Sequence, residues 1–314
     1  MLQKRSRSLS WFAPFFFNFS ANLFPMFKRL SCLMLLCICA FSGFAQNTDS
    51  ITIVKAKWQK TRVAKQVRLY QHHFNQKNLF LANENISYLE IKNTGRKAVF
   101  ALDAEVKELI TTSNFGLRDT AIAAVNGNFF DVKNGGSVDF VKVNGQVINT
   151  VRLDKNGTRA RHQQAAVVID NGKLAVKKWD GSTDWETRLP EQNVLLNGPL
   201  LTFNNVNEML DTTSFTYLRH PRTCLGIKPN GRVILLTVDG RNDNSAGMSL
   251  HELTKLMKWL GCSTVLNFDG GGSTTLWVNG FADGGVINYP TDNKKWDHAG
   301  QRKVANVVLV KRKK

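Results

Sequence analysis

"GRVILLTVDGRNDNSAGMSLHELTKLMKWLGCSTVLNFDGGG", Gly231 to Gly272, holds two apolar runs that each end in an acid, with one amphipathic run between them. "VILLTV" and "STVLNF" are short and rich in β-branched residues, the composition of buried strands. Between them Leu250, Leu253, Leu256, Met257 and Leu260 repeat at helical spacing. Ser249 and Glu252 form a capping-box pair, and Gly261 supplies the stop. Strand, helix and strand over residues 231–270 predict a crossover that lays the two strands parallel. Asp239 and Asp269 then reach the same C-terminal sheet edge, where ligands of open α/β sheets bind.

Outward from that unit the chain reads as short strands. "SITIVKAKW", "RVAKQVRLYQHHF", "NISYLEIKN" and "KAVFALD" are β-branched or aromatic runs separated by Asn, Gly and Lys. "NGNFFD", "VKVNGQVI", "AAVVIDNGKLAV" and "NVLLNGPLL" carry Asn-Gly pairs, the residues that two-residue hairpin turns require. The expected fold class is α+β, a strand-rich mixed sheet with few helices. Residues 46–120 read as a strand-rich N-terminal extension and residues 121–312 as a catalytic domain.

The first 45 residues read as targeting. "MFKRLSCLMLLCICAFSGFAQ" from Met26 has two cations, an apolar run from Leu30 to Phe41 and small residues up to Ala45, the order of a secretory signal peptide. Met26 is a candidate start, and cleavage is expected after Ala45. The apolar run falls short of the ~20 residues of a membrane-spanning helix, so no stable span is expected after cleavage. The chain is therefore expected to be exported: periplasmic, cell-surface or secreted. Of five cysteines, Cys224 and Cys262 stay with the mature chain, where a disulfide and two buried thiols are both open. Lys4, Arg5, Arg7, Lys28 and Arg29 leave with the signal, and no acid does. The net charge of +18 falls to +13, with 37 basic against 24 acidic residues. That balance favours polyanions, and export favours a phosphate-bearing or anionic glycan over nucleic acid.

Gly270, Gly271 and Gly272 directly after Asp269 let backbone approach a ligand and turn its N–H groups toward an anion. Other polar clusters flank apolar runs: Asn126, Asn128 and Asp131; Asn197; His220, Arg222 and Thr223; Arg241 with Asn242, Asp243 and Asn244. No G-x-S-x-G elbow, H-E-x-x-H helix or P-loop order is present.

Taken in order, "NGNFFD", "NGPLL", "HPRTCLG", "VDGRNDNSAGMSLHELTKLMKWLGC", "LNFDGGGSTTLWVNG" and "QRKVANVVLV" resemble the phosphodiester glycosidase family, over roughly Ala121 to Val310. Cys224 departs from the pattern, where small Ala is usual. The resemblance implies hydrolysis of the bond between a sugar's anomeric carbon and a phosphate, with N-acetylglucosamine-1-phosphodiester as one such substrate. Carried over by position, the family's polar motif residues fall on Asn126, Asn197, Arg222, Thr223, Asp239, Gly240, Asp269, Gly270, Gly271, Gly272, Ser273 and Thr274, with Arg302 and Asn306 near the end; of these, Asn126, Asn197, Arg222, Thr223, Gly270, Gly271, Gly272, Ser273 and Thr274 are candidate substrate contacts, as is Arg241.

Such a reaction needs an oxocarbenium-like transition state stabilised and a phosphate held. Asp269 is the candidate carboxylate at the anomeric centre, Asp239 its partner acid or base, Asp131 the reserve. Arg222 is the candidate phosphate clamp, with Arg241 nearby. No cofactor is required by the sequence. A metal-dependent phosphodiesterase, with a divalent cation on Asp239 and Asp269, and a non-catalytic module that binds anionic glycan are the competing readings.

Overall fold

A computed structural model describes residues 48–313. The signal-peptide reading of residues 1–45, with Cys32, Cys37 and Cys39, lies outside the described residues. An eight-stranded sheet runs in spatial order Gln59–Ala64, Val67–Leu79, Ala82–Ile91, Val233–Val238, Arg222–Ile227, Thr264–Asn267, Leu200–Phe203 and Val206–Asn207. Side chains along it alternate between two cores, as the two-residue strand period requires. Leu89, Ile91, Leu225, Val233, Leu235 and Leu266 face one core, shared with Val167, Ile169 and Leu195 of a five-stranded sheet and Phe100, Val308 and Val310 of a four-stranded one. Tyr88, Cys224, Ile234, Leu236 and Val265 face the other, beneath the helix Leu250–Trp259.

That helix forms as its sequence requires. Ser249 Oγ accepts from the Glu252 N–H, the Glu252 side chain reaches back to the Ser249 N–H, and Gly261 takes φ 85° just past the end. Leu250, Leu253, Leu256 and Met257 are buried, each worth about 1.5–3 kcal/mol.

The strands on either side of the helix run in the same direction but are not neighbours. Arg222–Ile227 lies between them, antiparallel to both. Every pairing among the described strands is antiparallel, so the two strands of the crossover run parallel only at one strand's remove. Asp239 and Asp269 do reach one edge, on opposite flanks of Pro221 and Arg222.

Three expectations change. Residues 48–55 form a helix where "SITIVKAKW" predicts a strand; Ile53 enters the core of the Leu250–Trp259 helix while Ile51 and Val54 are exposed. The strands of residues 46–120, read as an extension, are built into the sheets of the rest: Ala82–Ile91 pairs with Val233–Val238 over six positions, and Ala98–Ala104 pairs with Asn306–Arg312 over seven. Of the Asn-Gly pairs in the four runs quoted above, Asn144-Gly145 and Asn171-Gly172 make hairpins with both residues at positive φ. Asn126-Gly127 and Asn197-Gly198 instead end strands, the latter before a cis Gly198–Pro199 bond. Cys224 and Cys262 are free, buried thiols.

Candidate active site

The register pairs Arg222 with Val238 on one side and Cys224 with Asn267 on the other. Two strand spacings therefore separate the backbones that carry Asp239 and Asp269, about 9–10 Å.

The two acids differ in kind. Asp239 is 1% exposed. Its Oδ1 accepts from Asn288 Nδ2 at 2.8 Å and Tyr289 N–H at 3.0 Å, and its Oδ2 from Asn85 Nδ2 at 2.8 Å. Burial pushes its pKa up to about 6 against these donors. Both oxygens are occupied, which makes Asp239 a tie between three segments and counts against it as a free acid, base or cation ligand. Asp269 is hemmed in on most sides yet keeps a solvent-accessible face. Its carboxylate accepts the Gly270 N–H at 2.9 Å. Burial pushes its pKa up to about 6; Ser273, the Gly270 N–H, Arg302 and His162 oppose that rise. Ser273 Oγ lies near it but outside ordinary hydrogen-bond geometry.

The arginines also exchange roles. Arg222, 1% exposed, donates from Nε to Met248 O at 2.8 Å and from Nη2 to Phe215 O at 2.6 Å and Leu218 O at 3.1 Å, with its guanidinium 4.7 Å from the Phe215 ring centroid. Burial, then the charge of Arg241, lowers its pKa to about 10. Arg222 gives Nε and Nη2 to main-chain carbonyls, which leaves only Nη1 to meet a phosphate. Arg241 is exposed, and the described residues give its guanidinium no hydrogen-bond or ion-pair partner. It lies against Gly271, close enough to Arg222 and His220 to push both toward the neutral form.

The three glycines are bare because protein packs on them. A Cβ on Gly270 would stand 2.6 Å from Pro221 O, and one on Gly272 would stand 2.5 Å from both Arg302 Nη2 and Asp292 Oδ1. Gly271 donates its N–H to Pro221 O at 2.9 Å. With the Gly270 N–H on Asp269, two of the three N–H groups expected to cradle an anion are already used.

Asn126 donates to Asp269 O at 2.7 Å and accepts from Thr223 Oγ1 and Thr275 N–H, so both Asn126 and Thr223 lock the edge rather than face a ligand. Asn197 Nδ2, Ser273 Oγ and Thr274 Oγ1 are buried without a partner. Asn306 bridges Asn128 and Ser137, and Arg302 pairs with Asp292 at 2.6 Å. Asp131 caps its own turn through Lys133 N–H, Asn134 N–H and Asn134 Nδ2. Among the described residues no three His, Cys, Asp or Glu side chains converge as a metal-binding group. A cleft of about 460 Å³ lies beyond Asp239, with Asn85, Tyr289, His73 and His298 on its walls, and takes in neither Asp269 nor the glycines.

One pair escaped the sequence reading. Asp139 is fully buried; its Oδ2 accepts from His162 Nδ1 at 2.7 Å and its Oδ1 from Gln163 Nε2 at 2.9 Å. The His162 ring packs on Phe129, centroids 4.9 Å apart, and its charged form would stabilise the Asp269 carboxylate. The available signal was an acid inside "SVDFV", an apolar setting that obliges a buried carboxylate to find a partner.

The model of a family described as phosphodiester glycosidase matches residues 119–311. Among curated proteins, an uncharacterised SPbeta prophage-derived protein of Bacillus subtilis is 24% identical over 231 residues, 65% of this chain and 35% of that protein. Mouse N-acetylglucosamine-1-phosphodiester alpha-N-acetylglucosaminidase is 24% identical over 211 residues, 62% of this chain and 39% of that protein. The chain thus spans little more than a third of the length of these curated relatives. In fold it resembles the catalytic domain of the zebrafish enzyme of that name, auto-inhibited by pro-peptide, with TM-score 0.61 and 17% identity over 86% of this chain and 93% of that one. A hypothetical protein from Synechocystis matches with TM-score 0.59 and 13% identity, over 81% and 64%.

Proposed function

The chain belongs to the phosphodiester glycosidase family, and from that premise we propose that it hydrolyses the bond between a sugar's anomeric carbon and a phosphate, releasing the sugar and a phosphomonoester. One observation carries the assignment to this site. Asp269 is the acid at the sheet edge that keeps a solvent-accessible face, and it stands beside a strand end packed against the unpartnered Arg241.

In this reading the Asp269 carboxylate faces the anomeric carbon and stabilises positive charge as the bond to phosphate lengthens. Arg241 takes the departing phosphate bidentately, and Arg222, fixed by three carbonyls, adds positive field behind it. Asp239 holds Asn85, Asn288 and the Tyr289 backbone in place around the edge. The chain acts after export, which the segment Met26–Ala45 supports, on a phosphate-bearing glycan that a mature charge of +13 attracts. N-acetylglucosamine-1-phosphodiester is the first substrate to try, because the mouse relative is named for it.

The test is product analysis on a panel of sugar-1-phosphodiesters. Free sugar and a phosphomonoester support the reading. Sugar 1-phosphate as product would assign P–O cleavage instead, and binding of the panel without turnover would leave a glycan-binding module.

A further inference from the structure

Resting on the reading above, we infer that His162, oriented by Asp139, is the general base that activates water beside Asp269. Two short paths join them: the Asp269 N–H bonds Gly127 O at 3.1 Å, two residues before the Phe129 that packs on the His162 ring, and Asn267 donates to Gly198 O at 3.0 Å, the glycine that packs on His162 Cα. The chemistry of the leaving group sets the need. A phosphomonoester leaves as an anion, its second pKa near 6, so departure calls for little protonation. Water, by contrast, must lose a proton as it attacks. Asp239 is 1% exposed and already serves three donors, so attacking water has little access to the lone pair it has left.

His162 has the construction the task requires. Its Nδ1–H is held by a fully buried carboxylate, which leaves the Nε2 lone pair as the acceptor. Gln163 takes the other Asp139 oxygen, so the acid does not turn. Phe129 packs on the ring, and a Cβ on Gly198 would stand 2.8 Å from His162 Cα, so the backbone is held as closely as the side chain. The side chain is 30% exposed, and Nε2 has no hydrogen-bond partner among the described residues. In the step inferred, the oxygen of water bonds to the anomeric carbon. The bond from that carbon to the phosphate oxygen breaks with its electron pair on phosphate, and the water proton passes to Nε2.

His162→Asn tests this, because the amide Nδ2 can still donate to Asp139 while Nε2 is lost. The expected result is a fall in kcat of about 10²–10⁴-fold with the melting temperature unchanged. Azide, a nucleophile that attacks without shedding a proton, should restore turnover and give the glycosyl azide as product. A purely structural histidine would not be rescued this way. Wild-type kcat in His162→Asn, or a folded, inactive variant that azide does not rescue, overturns the inference while leaving the family reading intact. A wild-type protein that turns over no sugar-1-phosphodiester overturns both. Asp139→Asn supplies a second measurement: a drop in kcat with KM held is expected, and unaltered kcat counts against the dyad.

Discussion

The guanidinium of Arg241 rests on the bare backbone of Gly271: a Cβ built there would stand 3.1 Å from Nη2 and 3.3 Å from Nη1. Gly271 also holds φ at 60°. Gly271→Ala therefore brings two costs, about 1–2 kcal/mol for the left-handed backbone and a displaced guanidinium. The expected outcome is a modest loss of melting temperature with a rise in KM of about tenfold or more for a phosphodiester substrate. Ala at this position with unaltered KM would show that the contact does not place Arg241 for substrate.

The two arginines should separate in opposite ways. Arg241→Ala removes no hydrogen bond among the described residues, so thermal stability should hold while KM for the phosphodiester rises. Arg222→Leu strands the carbonyls of Met248, Phe215 and Leu218, each costing about 1–3 kcal/mol if left unsatisfied. Its melting temperature should fall by about 2–4 °C per kcal/mol lost. Thermal melts and steady-state kinetics on the pair check both halves. A stable, high-KM Arg222→Leu would return the phosphate to Arg222.

The parts of this site that were legible in the sequence are those fixed by local order. The capped helix from Ser249, the strands that end at Asp239 and Asp269, and the Asn-Gly hairpins at 144 and 171 depend on neighbours a few residues away. The parts that were not depend on distant partners. Arg222 reads as a free guanidinium until Phe215, Leu218 and Met248 are seen around it. The triple glycine reads as ligand clearance until Pro221, Arg302 and Asp292 are found packed on it. Asp139 and His162 lie 23 positions apart with no motif between them. The helix over residues 48–55 was hidden because "SITIV" has strand propensity and becomes helical only where Ile53 meets the core of the long helix.

In the proposed reaction Asp269 must be ionised to face a developing cation, and burial holds its pKa up at about 6. Turnover should therefore be lost as pH falls through about 6, well above the 3.8 of an ordinary Asp side chain. To keep this limb apart from imidazole titration, it is best read on His162→Asn supplied with azide. An acid limb near 4 in that background would mean that Asp269 is not the titrating group. Asp269→Asn should abolish turnover at every pH.

Glu84 supplies a test of the loop that carries Arg241. It is fully buried, its Oε2 accepts from Ser245 Oγ at 3.2 Å and Gly247 N–H at 3.1 Å, and its Oε1 has no partner. Burial raises its pKa from 4.5 to about 9, against Ser245, Arg219 and the Gly247 N–H. Folded Glu84 thus keeps its proton through neutral pH, while unfolded chain releases it near 4.5. Its contribution to stability is fully present below about 4.5, declines as pH rises toward 9, and is spent above that, because the unfolded state binds fewer protons across this window. Glu84→Gln cannot ionise but can still accept from Ser245 and Gly247. The variant should match wild type near pH 4.5 and gain on it steadily up to pH 9, read as a widening difference in melting temperature. A difference that stays constant across the window would show that Glu84 is not held protonated beneath the loop.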